Sequence, residues 1–251
     1  MKGRRRPTSI SNPQLALELP EKLGWGGARK NAGRKARTSG VAHVKRPVHR
    51  KSHPVHVTMR LKAGLPNLRS QQAFAVVKEA LRRSKKDDFR IVEFSVMSNH
   101  LHLIVEAEDE RALARGMRGL AVRIACGINK RFNRKGAVFS DRYHRVDLKS
   151  PKQTRSALAY VLQNFRKHGR ERGERYAAAW VDPRSSSSWF VGWDPRRRRV
   201  APLPRDEHAP VASPETWLLR EGWSEKWPWI SPDEVPGLRA IAAAKKRAAR
   251  R

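Results

Sequence analysis

Cysteine is all but missing from this chain: Cys126 stands alone among 251 residues. That excludes an internal disulfide and any multi-cysteine zinc cluster, and its apolar helical neighbours predict a core position for an inert thiol. Long apolar runs are missing too. No stretch approaches the roughly 20 residues a membrane-spanning helix needs, and no lipidation signal is present. The basic N-terminus is not followed by the apolar run of a secretory signal, so the expected compartment is the cytoplasm. Acidic residues are scarce: 23 Asp and Glu face 55 Lys and Arg, a formal net charge of +32. Such a field repels itself unless a polyanion neutralises it, so the expected partner is nucleic acid. An anionic membrane is the competitor, and the missing apolar span argues for no membrane. No internal repeat is visible.

What is present falls into three stretches. Residues 1–50 read as a basic arm, opened by Arg4-Arg5-Arg6-Pro7 and continued from Gly24 to Lys35. Glycine, proline and like charge leave little to bury, so the arm is expected to be disordered without DNA. Arg4, Arg5, Arg6, Arg29, Lys30, Arg34 and Lys35 are its candidate phosphate contacts; the plainer alternative is a flexible solubilising tail. Residues 171–251 hold seven of the eight tryptophans. These are expected to fill the small core of an extension packed on the main domain, ahead of stacking on unpaired bases. A basic helix or tail from Leu238 closes the chain as a further phosphate contact.

Residues 51–170 carry the globular pattern. Val55 to Leu61 alternates as a half-buried strand should. Ser70 caps a helix with Phe74, Val77 and Leu81 at helical spacing. Phe89 to Met97 is the next strand, and Ser98-Asn99 turns tightly into Asn99-His100-Leu101-His102-Leu103-Ile104-Val105, an antiparallel hairpin. A helix from about Glu110 places Leu113, Met117, Leu120, Ile124, Ile128 and Phe132 on one stripe. Arg115 and Arg118 lie off it, solvated or tracking phosphates. A loop and fourth strand fill Val138 to Leu148. Ser150-Pro151-Lys152-Gln153 then starts a helix expected to end near His168 and Gly169. The order β-α-β-β-α-β predicts an α+β ferredoxin-like sandwich: an antiparallel sheet covered by helices on one face, with the other free for a ligand.

Alternation along a strand puts His100 and His102 on one face and Leu101 and Leu103 on the other. The pair is half of a metal site or of an acid–base pair, or else two ordinary histidines on a half-exposed strand. The last helix adds to it. Leu158, Val161, Leu162 and Phe165 cluster in one sector; Tyr160 falls roughly opposite, with Asn164 one turn on and Lys167 flanking. A surface tyrosine is the bland alternative. Two imidazoles and an amide oxygen can hold a divalent cation with positions left open for phosphate oxygens; Mg2+ or Mn2+ suits that chemistry. Tyr160 would then be the nucleophile of a phosphodiester transfer through a covalent phosphotyrosine. Its ordinary pKa of about 10 calls for nearby positive charge, from the metal and Lys167.

At these residues the sequence resembles the HUH-type single-tyrosine transposases, in particular the REP-associated tyrosine transposases of bacteria. The likeness is carried by Ser98-Asn99-His100-Leu101-His102-Leu103, by Arg142-Tyr143-His144 before the last strand, and by Tyr160-Val161-Leu162-Gln163-Asn164. It spans about residues 54–169. It implies a ferredoxin-like nuclease domain that cuts and rejoins single-stranded DNA near hairpins, as a monomer or homodimer, in the bacterial cytoplasm and on the nucleoid when bound. By carry-over His100, His102 and Asn164 are metal ligands and Tyr160 the nucleophile, with Tyr143 and His144 in possible supporting roles. The family often continues Asn-Pro-Val where Asn164 here precedes Phe165-Arg166-Lys167. Tyr143 ranks second as nucleophile, because no Asn or Gln follows it by one turn. A non-catalytic, domesticated binder of structured DNA or RNA is the alternative function.

Overall fold

The computed structural model describes residues 48–198, 201–226 and 229–236. The basic-arm positions Arg4, Arg5, Arg6, Arg29, Lys30, Arg34 and Lys35, together with Trp227 and the tail from Leu238, lie outside the described residues. The element order is β1 (Val55–Arg60), α1 (Gln71–Arg82), β2 (Phe89–Val96), β3 (His100–Ala107), α2 (Glu110–Arg131), β4 (His144–Asp147) and α3 (Pro151–Glu171). The strands pair antiparallel in the order β2-β3-β1-β4, the ferredoxin-like arrangement expected from the sequence.

Local chemistry starts each helix. Ser70 accepts a hydrogen bond from Ala73 N ahead of α1, and Asp109 one from Ala112 N ahead of α2, satisfying amides that a helix's first turn leaves unpaired. Both helices cover one sheet face. Val55, Val57, Met59, Leu101, Leu103 and Val105 meet Phe74, Val77, Leu81 and the α2 stripe there in one buried cluster. Gly116 lets α2 approach closely: a Cβ at this position would run into the Phe89 ring. Cys126 is exposed, not in the core as expected. Ile124 and Ile128 take the inward positions, and a residue two steps from each points away from both.

The second face departs from expectation, since it is not left open. A β-bulge between Ile91 and Glu93 breaks the alternation of β2, so Val92 joins a second cluster with Ile104, Leu158, Val161 and Leu162. Thus α3 packs over β2 and β3 on this side. Over β4 the face stays accessible, with His144 and Val146 exposed.

The stretch after α3 closes the outer edge of β2. Val96 N donates to Arg184 O, Ala212 N to Ile91 O and Phe94 N to Ser186 Oγ, so backbone groups a free edge would expose are paired. Buried Glu93 is met by Arg205 and by Ser186 Oγ. Trp193 and Trp223 fill the second cluster beside Phe190, as the packing expectation had it, whereas Trp217 and Trp229 are about half exposed.

Helix α3 outruns its predicted end. Gly169 is an interior residue at a close approach, where a Cβ would strike Tyr176. The left-handed position belongs to Gly173, at φ +84. The helix is fixed along its length. Arg155 forms a two-pronged pair with Glu234, Gln163 donates to Ser231 O and Pro232 O, and buried Arg166 donates to the carbonyls of Tyr176, Ala177 and Trp180. Phe165, expected in the apolar sector, lies instead beneath the Arg69 guanidinium at 3.5 Å.

Candidate active site

Strand register assembles a row of polar side chains across the second face. His102 stands opposite Thr58 on β1, and Thr58 opposite His144 on β4. His56 and Thr58 share this face because Val55, Val57 and Met59 take the other. The His102 ring lies 4.8 Å from that of His100 and 5.4 Å from that of His56. Sequence reasoning overlooked His56 and Thr58, although the alternation of β1 placed them beside the histidine pair.

Helix α3 brings Tyr160 to this row. Its ring meets His102 edge-on at 5.1 Å and His56 at 5.7 Å. Lys167 Nζ lies 5.6 Å from the Tyr160 ring. Asn164, one turn beyond Tyr160, is fully buried. One further turn brings His168, which pairs with Glu171 at 2.8 Å and lies close enough for its charge to act on His100 and His102. The spacing Tyr-x-x-x-Asn-x-x-x-His carried that signal in the sequence.

The electrostatics suit ligands rather than cations. Burial, reinforced by the Arg60 and His168 charges, lowers His100 to about 4. Burial and the His56, His100 and His168 charges lower His102 to about 3, and burial with His144 lowers His56 to about 4. All are neutral near pH 7, the form in which imidazole binds metal. Asn99 Oδ1 accepts from His100 Nδ1 at 2.8 Å, which assigns the proton to Nδ1 and leaves Nε2 as a lone pair. His102 Nδ1 engages Thr58 Oγ1 at 3.1 Å and His56 Nε2 at 3.3 Å. Its Nε2 is buried without a partner, and so are both side-chain polar atoms of Asn164. Orphaned buried groups cost about 1–3 kcal/mol each. Two ring nitrogens and an amide oxygen are the donor set that fits a divalent cation with open positions. Among the described residues, no group of three or more His, Cys, Asp or Glu side chains is arranged to hold a metal. Burial and the Glu171 charge raise the Tyr160 pKa, so the phenol is protonated in the resting protein.

Other predicted residues fall elsewhere. Tyr143 packs against the α1/α2 core, on the far side of the sheet from His100 and His102. Arg115 and Arg118 are exposed on α2, also beyond that sheet, and Arg115 pairs with Asp88. His144 stays exposed at the end of the row. No helix among the described residues is long and apolar enough to cross a membrane.

A search of curated proteins returned no match. Among solved structures the chain is similar to a REP-associated tyrosine transposase bound to a REP hairpin. Identity is 20%, over 58% of this chain and 82% of the other, with a TM-score of 0.46. Residues 50–164 match the family model described as "Transposase IS200 like". That segment runs from β1 to Asn164 and contains His100, His102 and Tyr160; the tryptophan-rich stretch lies beyond it. The match covers less than half of the chain, so the likeness to IS200-like transposases is that of residues 50–164.

Proposed function

We propose that this protein cleaves and rejoins single-stranded or hairpin DNA through a covalent phosphotyrosine on Tyr160, with His100, His102 and Asn164 holding Mg2+ or Mn2+. The observation that carries the reading is a convergence. The Tyr160 ring packs on His102 at 5.1 Å, while His102 Nε2 and the Asn164 amide, on two different elements, are buried without partners. When bound, the cation would polarise the scissile phosphate and offset charge developing there.

The chain's own residues supply the rest. Tyr160 Oη loses its proton to solvent and attacks phosphorus; the Oη–P bond forms as the bond to the leaving sugar oxygen breaks, and that oxygen leaves as a hydroxyl. A sugar hydroxyl reverses the exchange and reseals a strand, so the phosphodiester bond is conserved without ATP. Lys167 and Arg60 line the approach with positive charge, which favours both the phenolate and the phosphate. The accessible sheet over β4 gives DNA a route past His144 to the row.

The test incubates the full chain with Mn2+ and a labelled single-stranded hairpin and resolves products on a denaturing gel. Wild type forms a protein-linked band that EDTA suppresses. Tyr160→Phe abolishes the band and leaves thermal unfolding and hairpin affinity unchanged. Cleavage by Tyr160→Phe would refute the nucleophile. Binding by wild type with no linked product, across varied hairpins, would favour a domesticated DNA- or RNA-binding protein.

A further inference from the structure

A cavity of about 690 Å³ opens at the other end of β3 and α3 from the His100–Tyr160 cluster. Glu106 and Pro151 both line it. Glu106 shares the face of His102 four residues away, ~13 Å along the strand. Pro151 lies nine residues before Tyr160, about 13.5 Å along the helix. The two estimates agree, so a few unpaired nucleotides reach from one site to the other. Much of one wall comes from Glu215 to Leu218, beyond the segment that matches the transposase family model, so the extension completes a cavity whose other walls lie within that segment.

Its chemistry is that of a base pocket. Trp217 lines it and is 49% exposed. The six-membered ring is held in place, packed so closely on Gly222 that a Cβ there would approach it to 2.7 Å. A fixed, half-bare indole in a concave wall is a stacking platform. The carboxylates of the rim are spoken for. Glu108 pairs with Lys51 and Glu215 with Arg90. Glu106 accepts from Glu215 N, Thr216 N and Thr216 Oγ1 and lies 3.8 Å from Arg90. Lys149 and His53 also line the cavity and have no carboxylate partner among the described residues; the three lysine and arginine charges of the lining only balance its three carboxylates, so the positive potential is local to Lys149. The first turn of α3 adds to it through the helix dipole.

We propose that this cavity takes an unpaired nucleotide of the bound DNA strand, its base stacked on Trp217 and its phosphate held by Lys149 and His53. The inference rests on the reading of Tyr160 as a DNA strand-transfer site. It would let the extension add to target choice at a distance from the cleaved bond.

The test uses a fluorescein-labelled hairpin with a single-stranded oligothymidine flank, carrying one abasic residue at successive positions, and measures affinity for the full chain by anisotropy. Wild type loses about tenfold at one flank position, the scale of one base–aromatic stack. Trp217→Ala loses as much with the intact flank and no longer senses the abasic residue, while Trp217→Phe keeps most of the affinity. Lys149→Ala lowers the slope of log affinity against log salt by about one. A wild-type scan with no sensitive position overturns the pocket whatever the variants do. So does Trp217→Ala binding every oligonucleotide as wild type does, and in both cases covalent adduct formation at Tyr160 would leave the catalytic reading standing. Failure of wild type to bind any hairpin would remove both.

Discussion

Replacing Arg205 by methionine removes the cation that meets Glu93 inside the second core. Arg205 and Glu93 side chains are 9% and 2% exposed, and Glu93 keeps Ser186 as its other partner. Breaking a buried pair by deleting one charge costs about 3–5 kcal/mol. Arg205 also donates to the carbonyls of Val92, Ala212 and Trp189, each worth roughly 1 kcal/mol. These terms share one side chain and do not add in full, so a loss of about 4 kcal/mol is expected. At 2–4 °C per kcal/mol for a domain of this size, the melting temperature falls by roughly 8–16 °C. The sign with pH follows from Glu93, whose pKa is raised by burial, against the opposing pull of Arg205 and Ser186. A raised folded-state carboxyl gives stability that is present at low pH and lost as pH rises through the folded value. Without Arg205 the deficit is therefore smaller at pH 5 than at pH 8. Adding Glu93→Gln to Arg205→Met recovers part of the loss, because a neutral amide replaces a stranded charge. Calorimetry and urea unfolding measure all three proteins. If Arg205→Met melts within 2 °C of wild type, the extension is not locked to the sheet as described.

Two further outcomes are expected. Gly116→Ala destabilises by about 1–3 kcal/mol, since overpacking against Phe89 outweighs a helix-propensity gain of about 1 kcal/mol; Gly119→Ala on the same helix, whose Cβ meets only the flexible end of Arg123, keeps that gain, and urea midpoints that rank the pair the other way would refute the packing account. His56, His100 and His102 are depressed to about 4, 4 and 3, so unfolded histidines bind protons near pH 6.5 while the folded ones do not, and stability falls as pH drops from about 6.5 toward 4; a His102→Gln variant flattens that limb, and an equally steep limb in the variant would count against it.

Much of the site was legible because its geometry is periodic. Alternation put His100 and His102 on one face, and the helical repeat put Tyr160 and Asn164 together. What escaped reading depends on long-range partners. The bulge at Val92 and Glu93 has no local signature in a strand that is apolar nearly throughout. Glu93 was nonetheless a warning, a lone carboxylate in a buried run that needed a cation, and Arg205 lies more than a hundred residues away. Gly169 reads as a helix stop until Tyr176 is seen to press on it, and Gly173 takes the turn instead. The second sheet face reads as open because the sequence of β2 and β3 does not say that α3 will lie across them. Trp217 resembles its neighbours in sequence, and only the fold separates it from buried Trp193 and Trp223.

The fastening of α3 has a consequence for the strand exchange proposed above. Arg155, Gln163 and Arg166 bind the helix to segments that follow it in the same chain, at its start, middle and end. A helix held this way travels with the sheet beneath it, so Tyr160 faces the histidines of its own chain. Lending it to a neighbouring subunit would mean breaking an ion pair and several buried hydrogen bonds together. On the proposed reading of Tyr160, the tyrosine would be the stationary part and the nucleic acid the moving one: successive DNA ends would have to be delivered to a fixed phenol, in an order governed by the surfaces that hold DNA rather than by a swinging helix.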